Sequence, residues 1–356
     1  MRLLLISEYD GVGGGESFLL NTARGLAFQG HDVTVLVPEP GDLSRRLSEN
    51  NIDVVFLKIR LRNVYRFWSV LKEHCFDSVV FNGTYSLYRF GFVTRMLHNV
   101  SKNIWVCHGP WVVVNFLRRW LLKYLADKVL VPNSEVKDFL LDNDVSLSIE
   151  VINLPIIIND FAYKLRNGPR TITVAMLARF QRVKGHDVFV RAIHELGETD
   201  DFTFIVAGDD PFKTEEAQQF KDYVHKLANE LRVTSKVNFI GEVKDVAGFL
   251  RKVDILVVPS RYESYGMVIL EGMAAGCTII AADTDGPRKL VNNGKYGLLF
   301  PVEDHKGLAR LIDFSRSNTQ ELEQVRDRAL KHVTDNFNSE NYPWTSILAV
   351  PEITSR

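Results

Sequence analysis

Two glutamates separated by seven residues, Glu263 and Glu271, fall in the stretch Val258-Pro259-Ser260-Arg261-Tyr262-Glu263-Ser264-Tyr265-Gly266-Met267-Val268-Ile269-Leu270-Glu271-Gly272-Met273-Ala274-Ala275-Gly276. Its hydropathy pattern predicts a strand, a loop and a helix that begins near Gly266. Glu263 then lies at the carboxyl end of a strand, where open α/β sheets bind ligands, and Glu271 lies more than a turn inside the helix. The two acceptors are expected to face one crevice at different depths. Between them the helix N-terminus offers unpaired backbone N–H groups and a positive dipole end suited to a phosphate, with Gly266 removing side-chain bulk. A sugar nucleotide has the matching shape. The plainer alternative for the pair is a solvated loop acid and an ordinary helix-surface acid.

These groups need a scaffold, and the chain is long enough to supply two. At 356 residues it suits two domains of about 150 residues each. Hydrophobic residues make up 46%, charged 24% and aromatic 11%, which excludes a disordered or fibrous chain. The 43 basic and 44 acidic residues leave a formal charge of −1, so no bulk attraction draws the molecule to nucleic acid or membrane. Three scattered cysteines, Cys75, Cys107 and Cys277, fit neither a disulfide framework nor a zinc pattern, and a reducing cytoplasm is the expected location. The apolar run at Leu3 to Ile6 is stopped by Glu8 and Asp10, and reads as a first buried strand, not a signal peptide. No apolar stretch reaches the ~18 residues of a spanning helix.

Short β-branched or apolar runs alternate with segments of helical period, the pattern of parallel sheets with crossover helices. The predicted strands are Leu3 to Ile6, Asp32 to Val37, Ile52 to Leu57, Ser78 to Phe81, Asn103 to Cys107, Lys128 to Val131 and Ser148 to Ile152. A second series comprises Thr171 to Leu177, Phe202 to Ala207, Lys236 to Ile240, Asp254 to Val258, Thr278 to Ala281 and Gly297 to Phe300. A break is expected near Pro155 to Pro169, where Asn159-Asp160 and Asn167-Gly168-Pro169 supply turn chemistry. The domains are therefore read as 1–160 and 161–336, with 337–356 carrying a C-terminal helix expected to pack back across them.

The chain resembles the GT-B glycosyltransferases, in particular the large retaining family (family 4, group 1 type) marked by two glutamates with the spacing of Glu263 and Glu271. The resemblance also rests on Gly13-Gly14-Gly15-Glu16 after the first strand, His108 after the fifth, Ala178-Arg179-Phe180-Gln181-Arg182-Val183-Lys184-Gly185, Val206-Ala207-Gly208-Asp209, and Pro259-Ser260-Arg261 before Glu263. It implies an α/β architecture of two Rossmann-like doubly wound domains facing across a cleft. It implies a nucleotide diphosphosugar donor, a UDP-sugar favoured, bound mainly by the second domain, and a saccharide or lipid-linked acceptor entering from the first. Cell-surface polysaccharide or glycolipid synthesis is the matching role.

In this reading Arg179 and Lys184 neutralise the departing diphosphate and replace the metal that other sugar transferases use, so neither metal nor cofactor is expected. Arg182 is a rival for either cation. Glu271 matches the family glutamate that accepts from the ribose hydroxyls, and Glu263 the one beside the transferred sugar. Backbone N–H groups around Tyr265, Gly266 and Met267 complete the phosphate cradle, and Gly14 lets its loop approach the diphosphate from the first domain. His108 becomes an orienting donor near the sugar. Retention in this family is generally attributed to attack on the face that the leaving group has just left, with the phosphate oxygen taking the acceptor's proton. Some residues depart from the pattern. Tyr265 replaces the usual Phe, and Gly272 replaces Ala at a helix-propensity cost of ~1 kcal/mol. Lys289 replaces a common Glu, and Asn153-Leu154 replaces Asn-Gly.

Other readings compete at several positions. Cys107 beside His108 suggests a cysteine nucleophile, but alternation on a strand points adjacent side chains to opposite faces. Asp283-Thr284-Asp285 spells a metal-binding triplet, yet follows a late strand as a turn would. Gly11-Val12-Gly13-Gly14-Gly15-Glu16, with Glu39 after the second strand, approaches a dinucleotide fingerprint, but Glu16 occupies the third glycine's place. A sugar-nucleotide epimerase or phosphorylase of the same fold, a non-catalytic binder and, more remotely, an NAD-dependent oxidoreductase remain as alternatives. From Lys58 to Lys128 twelve basic residues face three acidic ones. Asn115, Arg118, Arg119 and Lys123 fall on one side of a helix starting near Trp111, a surface for peripheral contact with an anionic membrane. A solvated face or a pocket for an acidic acceptor would account for it equally. Nucleic acid is not expected.

Overall fold

Among the described residues thirteen short runs form strands, and every paired neighbour is parallel. The computed structural model describes residues 1–11, 13–97, 102–109, 116–161, 171–197, 200–210 and 214–349. The expectations placed on Asn167-Gly168-Pro169, on Trp111 and on Asn115 lie outside them. The first sheet holds β1 (Arg2–Ser7), β2 (Asp32–Val37), β3 (Asp53–Phe56), β4 (Ser78–Asn82), β5 (Lys102–Val106), β6 (Lys128–Val131) and β7 (Ser148–Val151). The second holds β8 (Ile172–Leu177), β9 (Phe202–Ala207), β10 (Val237–Gly241), β11 (Ile255–Val258), β12 (Thr278–Ala282) and β13 (Leu298–Phe300).

Strand order is β3-β2-β1-β4-β5-β6-β7 in one sheet and β10-β9-β8-β11-β12-β13 in the other. Both are doubly wound, Rossmann-like orders that reverse beside their first strand, at β1/β4 and at β8/β11. Leu3, Leu4, Leu5 and Ile6 are all buried, as are Val79, Val80 and Phe81. Unbroken burial along a strand means that helices cover both faces, which is why these runs lack alternation.

The chain divides into two compact units, Met1–Ile157 together with the segment from Phe337, and Ile158–Asn336. In the first, Phe67 stacks on Phe90 at 4.3 Å within a core that includes Leu4, Ile6 and Trp105. In the second, Phe189, Phe204 and Ile312 belong to one core. Helix Met267–Ala274 packs so closely on this unit's sheet that a Cβ at Gly272 would lie 2.6 Å from Leu256 and 2.9 Å from Ile279. Glycine at a position where the family usually has alanine is therefore accounted for by packing.

The returning C-terminal segment lies along helix Gly14–Phe28: Ser339 Oγ donates to the Asn21 carbonyl at 2.6 Å, and Gln29 Nε2 to that of Tyr342 at 2.7 Å. Lys128 secures its end. The Lys128 ammonium is 2.6 Å from Glu150 and donates to the Ile347 and Ala349 carbonyls at 2.5 and 3.1 Å. Only 4% of Lys128 is exposed. Its inclusion in the basic surface cluster is thus corrected: at the start of a buried strand its ammonium is partnered by a carboxylate and two carbonyls.

Candidate functional site

In the second unit the loops after β8 and β11 meet at the reversal of strand order. Lys184, at the end of the short 3-10 turn Arg182–Lys184, places Nζ 2.6 Å from Glu263 Oε2. Ser260 Oγ lies 3.4 Å from the same oxygen. Two residues chosen from sequence for opposite charge and different roles are therefore in direct contact. Arg179 is half-buried in the loop after β8 and forms no side-chain hydrogen bond or ion pair among the described residues.

The two loops are tied together below this pair. Gly185 adopts φ 74°, and a Cβ there would run into the Pro259 carbonyl oxygen; only glycine tolerates both the left-handed backbone and the contact. Arg261 N donates to Val183 O at 2.7 Å. The Arg261 guanidinium grips Asp187 with two bonds of 3.0 and 2.8 Å, donates to Arg182 O at 2.6 Å and contacts Glu303 at 2.6 Å. Burial opposes ionisation of Asp187, but the guanidinium prevails and holds its carboxyl below the usual range, while Asp187 and Glu303 raise Arg261. Sequence reading missed this staple. The available signal was an acid in the first turn after Lys184-Gly185-His186, at a place where a helix needs no buried charge.

Glu263 leads into the N-terminus of helix Met267–Ala274, whose preceding residue Gly266 has φ 99°. Tyr265 and Met267 are buried, and Glu271 sits half-buried on the helix's fifth residue. A Cβ at Gly286 would lie 2.5 Å from Glu263 O and 2.8 Å from Tyr265 O, so the start of helix Asp285–Leu290 packs against the same segment. Lys289 pairs with Asp285 at 2.7 Å and Arg288 with Asp283 at 2.7 Å. The Asp-x-Asp triplet is thus a helix start with paired acids. Among the described residues no group of three His, Cys, Asp or Glu is arranged to hold a metal.

The remaining candidates belong to the first unit. Gly14 opens helix Gly14–Phe28, and a Cβ there would touch nothing. His108 follows β5, with Nε2 2.7 Å from Asn82 Oδ1, and desolvation lowers its imidazole to about 4. Cys107 is buried, its thiol pushed up to about 12 by desolvation, which removes it as a nucleophile at neutral pH. Glu39 pairs with Lys58 at 2.8 Å. Glu8, just after β1, accepts from Ser86 N at 2.7 Å at the start of helix Thr84–Met96, and burial raises its carboxyl above the usual range despite that bond.

Part of the basic cluster is neutralised: Arg95 pairs with Asp127 at 3.0 Å and Arg119 with Asp144. On helix Phe116–Leu125, however, Leu117, Trp120 and Tyr124 are 69%, 61% and 52% exposed, beside exposed Arg118 and Lys123.

The family described as Glycosyl transferases group 1 matches residues 159–332, and the one described as Glycosyltransferase Family 4 matches residues 12–159. The chain belongs to the family 4 glycosyltransferases. This glycosyltransferase is 22% identical over 349 residues to the lipopolysaccharide core biosynthesis glycosyltransferase LpsE of Rhizobium meliloti (strain 1021), covering 92% of this chain and 93% of that one. A solved glycosyltransferase from Rickettsia africae ESF-5 is similar at TM-score 0.81 and 23% identity, over 95% of this chain and 94% of that one. Anabaena Alr3699/HepE in complex with UDP-glucose is similar at TM-score 0.80 and 18% identity, over 95% and 96%. Both are likenesses of fold, and the fold of this glycosyltransferase is GT-B.

Proposed function

We propose that this glycosyltransferase moves a sugar, with retention and without a metal, from a nucleotide diphosphosugar to a saccharide or lipid-linked acceptor in cell-surface polysaccharide or glycolipid synthesis. The observation that carries the reading is the Lys184–Glu263 contact of 2.6 Å at a sheet's switch point, beside a helix N-terminus. A cation for phosphate, a carboxylate for sugar hydroxyls and the backbone N–H groups of a helix start stand within one loop cluster. Arg179 and Lys184 take the charge that grows on the leaving diphosphate, Glu271 accepts from the ribose, and Glu263 faces the transferred sugar. The departing phosphate oxygen takes the proton of the attacking hydroxyl, so the chemistry needs no enzymic nucleophile. His108 is read as bordering the transferred sugar and Gly14 as letting its loop approach the diphosphate. A UDP-sugar is favoured, in keeping with the UDP-glucose that the Anabaena protein holds. Exposed Leu117, Trp120 and Tyr124, with Arg118 and Lys123 on the same helix, suit reversible contact with an anionic membrane, where a lipid-linked acceptor would reside.

The test is a thermal-shift panel of UDP-glucose, UDP-galactose, UDP-N-acetylglucosamine, GDP-mannose, ADP-glucose and NADH on wild type and Glu271→Ala, followed by turnover and product anomer analysis. A rise with one diphosphosugar that the variant loses supports the reading. A rise with NADH alone, or with nothing, overturns it.

A further inference from the structure

Three segments of the first unit converge on one imidazole. His108 Nε2 is 2.7 Å from Asn82 Oδ1. Asn82, only 7% exposed, ends β4, and its amide nitrogen donates to Gly15 O at 3.0 Å. That second bond settles which way the amide faces: the nitrogen is committed to a carbonyl, so the oxygen faces the histidine. An amide oxygen only accepts, and Nε2 therefore carries a proton.

The ring is held in place as well as oriented. A Cβ at Gly15 would lie 3.4 Å from Nε2 and 3.6 Å from Cδ2, ordinary van der Waals distances, so the glycine run lies beside the imidazole. Phe18, one turn along the same helix, meets the ring edge-on at 5.7 Å and 75°. Phe18 in turn packs against Trp344 of the returning C-terminal segment at 6.4 Å. Desolvation keeps the imidazole neutral, and a neutral ring with a proton on Nε2 has a lone pair on Nδ1. Among the described residues none bonds Nδ1.

We propose that Asn82 is a positioning residue that fixes His108 as the Nε2–H tautomer, leaving Nδ1 to accept a hydrogen bond from a hydroxyl of the sugar substrate. The inference rests on the reading that His108 borders the transferred sugar. It exchanges the donor role expected of His108 for the opposite one, because the single N–H of the neutral ring is already committed. The glycines after β1 also gain a second role. Besides any approach to phosphate, Gly15 supplies the carbonyl that locks Asn82 and lies next to the ring.

The tautomer is read in full-length 15N-labelled protein at pH 7, without ligand, from long-range 1H–15N correlations, with the His108 signals assigned by their loss in His108→Phe. The expected pattern is a protonated Nε2 and a bare Nδ1. Asn82→Leu should give a mixture of tautomers, and Asn82→Asp an imidazolium, since a carboxylate stabilises the ring's charge. With whichever diphosphosugar of the panel turns over, Asn82→Asp should lower kcat about tenfold or more and change the donor KM less than about threefold. A wild-type ring protonated on Nδ1 overturns the inference, even if His108→Phe is inactive. A wild-type Nε2–H ring with unchanged turnover in both His108→Phe and Asn82→Asp overturns the hydroxyl contact and, with it, the placement of His108 beside the sugar. Should Asn82→Asp not fold, Asn82→Leu carries the kinetic comparison.

Discussion

Lys184 Nζ and Glu263 Oε2 are 2.6 Å apart, with 21% and 13% of their side chains exposed, so without a donor each neutralises the other. In the proposed reading, a diphosphate that enters draws Lys184 away from the carboxylate. Glu263→Gln should therefore leave affinity for UDP unchanged or raise it while lowering turnover, whereas Lys184→Gln should weaken UDP about tenfold, or ~1.4 kcal/mol. Titration calorimetry with UDP on both variants checks this. Equal weakening in the two would sink the assignment of phosphate to one and sugar to the other.

Arg261 joins both loops that carry this pair. Arg261→Gln removes the two-bond grip on Asp187 and leaves a carboxylate that is 12% exposed without its partner, a loss of about 2 kcal/mol. Chemical denaturation should show it. Because the guanidinium holds the Asp187 carboxyl below its usual range, its stabilisation is present above the unfolded pKa of about 4 and disappears only as pH falls through the lower folded value. The deficit of the variant should accordingly be constant from about pH 5 to pH 8 and shrink in stronger acid.

His186 is fully buried, and desolvation lowers its imidazole to about 3, against the pull of the Ala178 backbone and the Asp187 charge. The unfolded ring titrates near 6.5, so below that pH unfolding takes up a proton that the folded state refuses. Stability should fall by about 2 kcal/mol from this residue between about pH 6.5 and 5. His186→Phe should remove that part of the pH dependence. If wild type and variant lose stability in parallel over this range, the buried ring is not neutral.

Gly272 sets packing against propensity. Alanine would add about 1 kcal/mol of helix preference, but its Cβ would lie 2.6 Å from Leu256 and 2.9 Å from Ile279, and overpacking costs about 1–3 kcal/mol. Gly272→Ala should therefore lower the melting temperature. A rise would show that the sheet yields at no cost.

Membrane contact through helix Phe116–Leu125 should need both apolar and basic residues. Trp120→Ser with Arg118→Glu should abolish salt-sensitive binding to vesicles rich in phosphatidylglycerol while leaving the melting temperature in place, because both side chains are exposed. Unchanged vesicle binding in a sedimentation assay would return this face to plain solvation. Arg119 is a poorer choice for reversal, since it is paired with Asp144.

Strand positions, the parallel class and the glutamate loop were legible in the sequence because each depends on local features. Buried strands read as apolar runs, crossover helices as periodic segments, and the residues of Val258 to Gly276 lie consecutively. Tertiary structure alone decided which charges cancel. The residues of the Lys184–Glu263 and Arg261–Asp187 pairs are 79 and 74 positions apart, and they meet because sheet order places β8 beside β11. The same holds for Lys128, which sequence counts as one of twelve surface cations and the fold buries against residues from the far end of the chain. Gly272 and Asn82 make the point at single residues. A propensity scale sees a weak helix former and a polar strand end, whereas the neighbours brought by folding make one a close-packing site and the other a partner for His108. Hydropathy and turn chemistry act between near neighbours along the chain, while ion pairing and steric contact depend on distance in space, which only the assembled sheets establish.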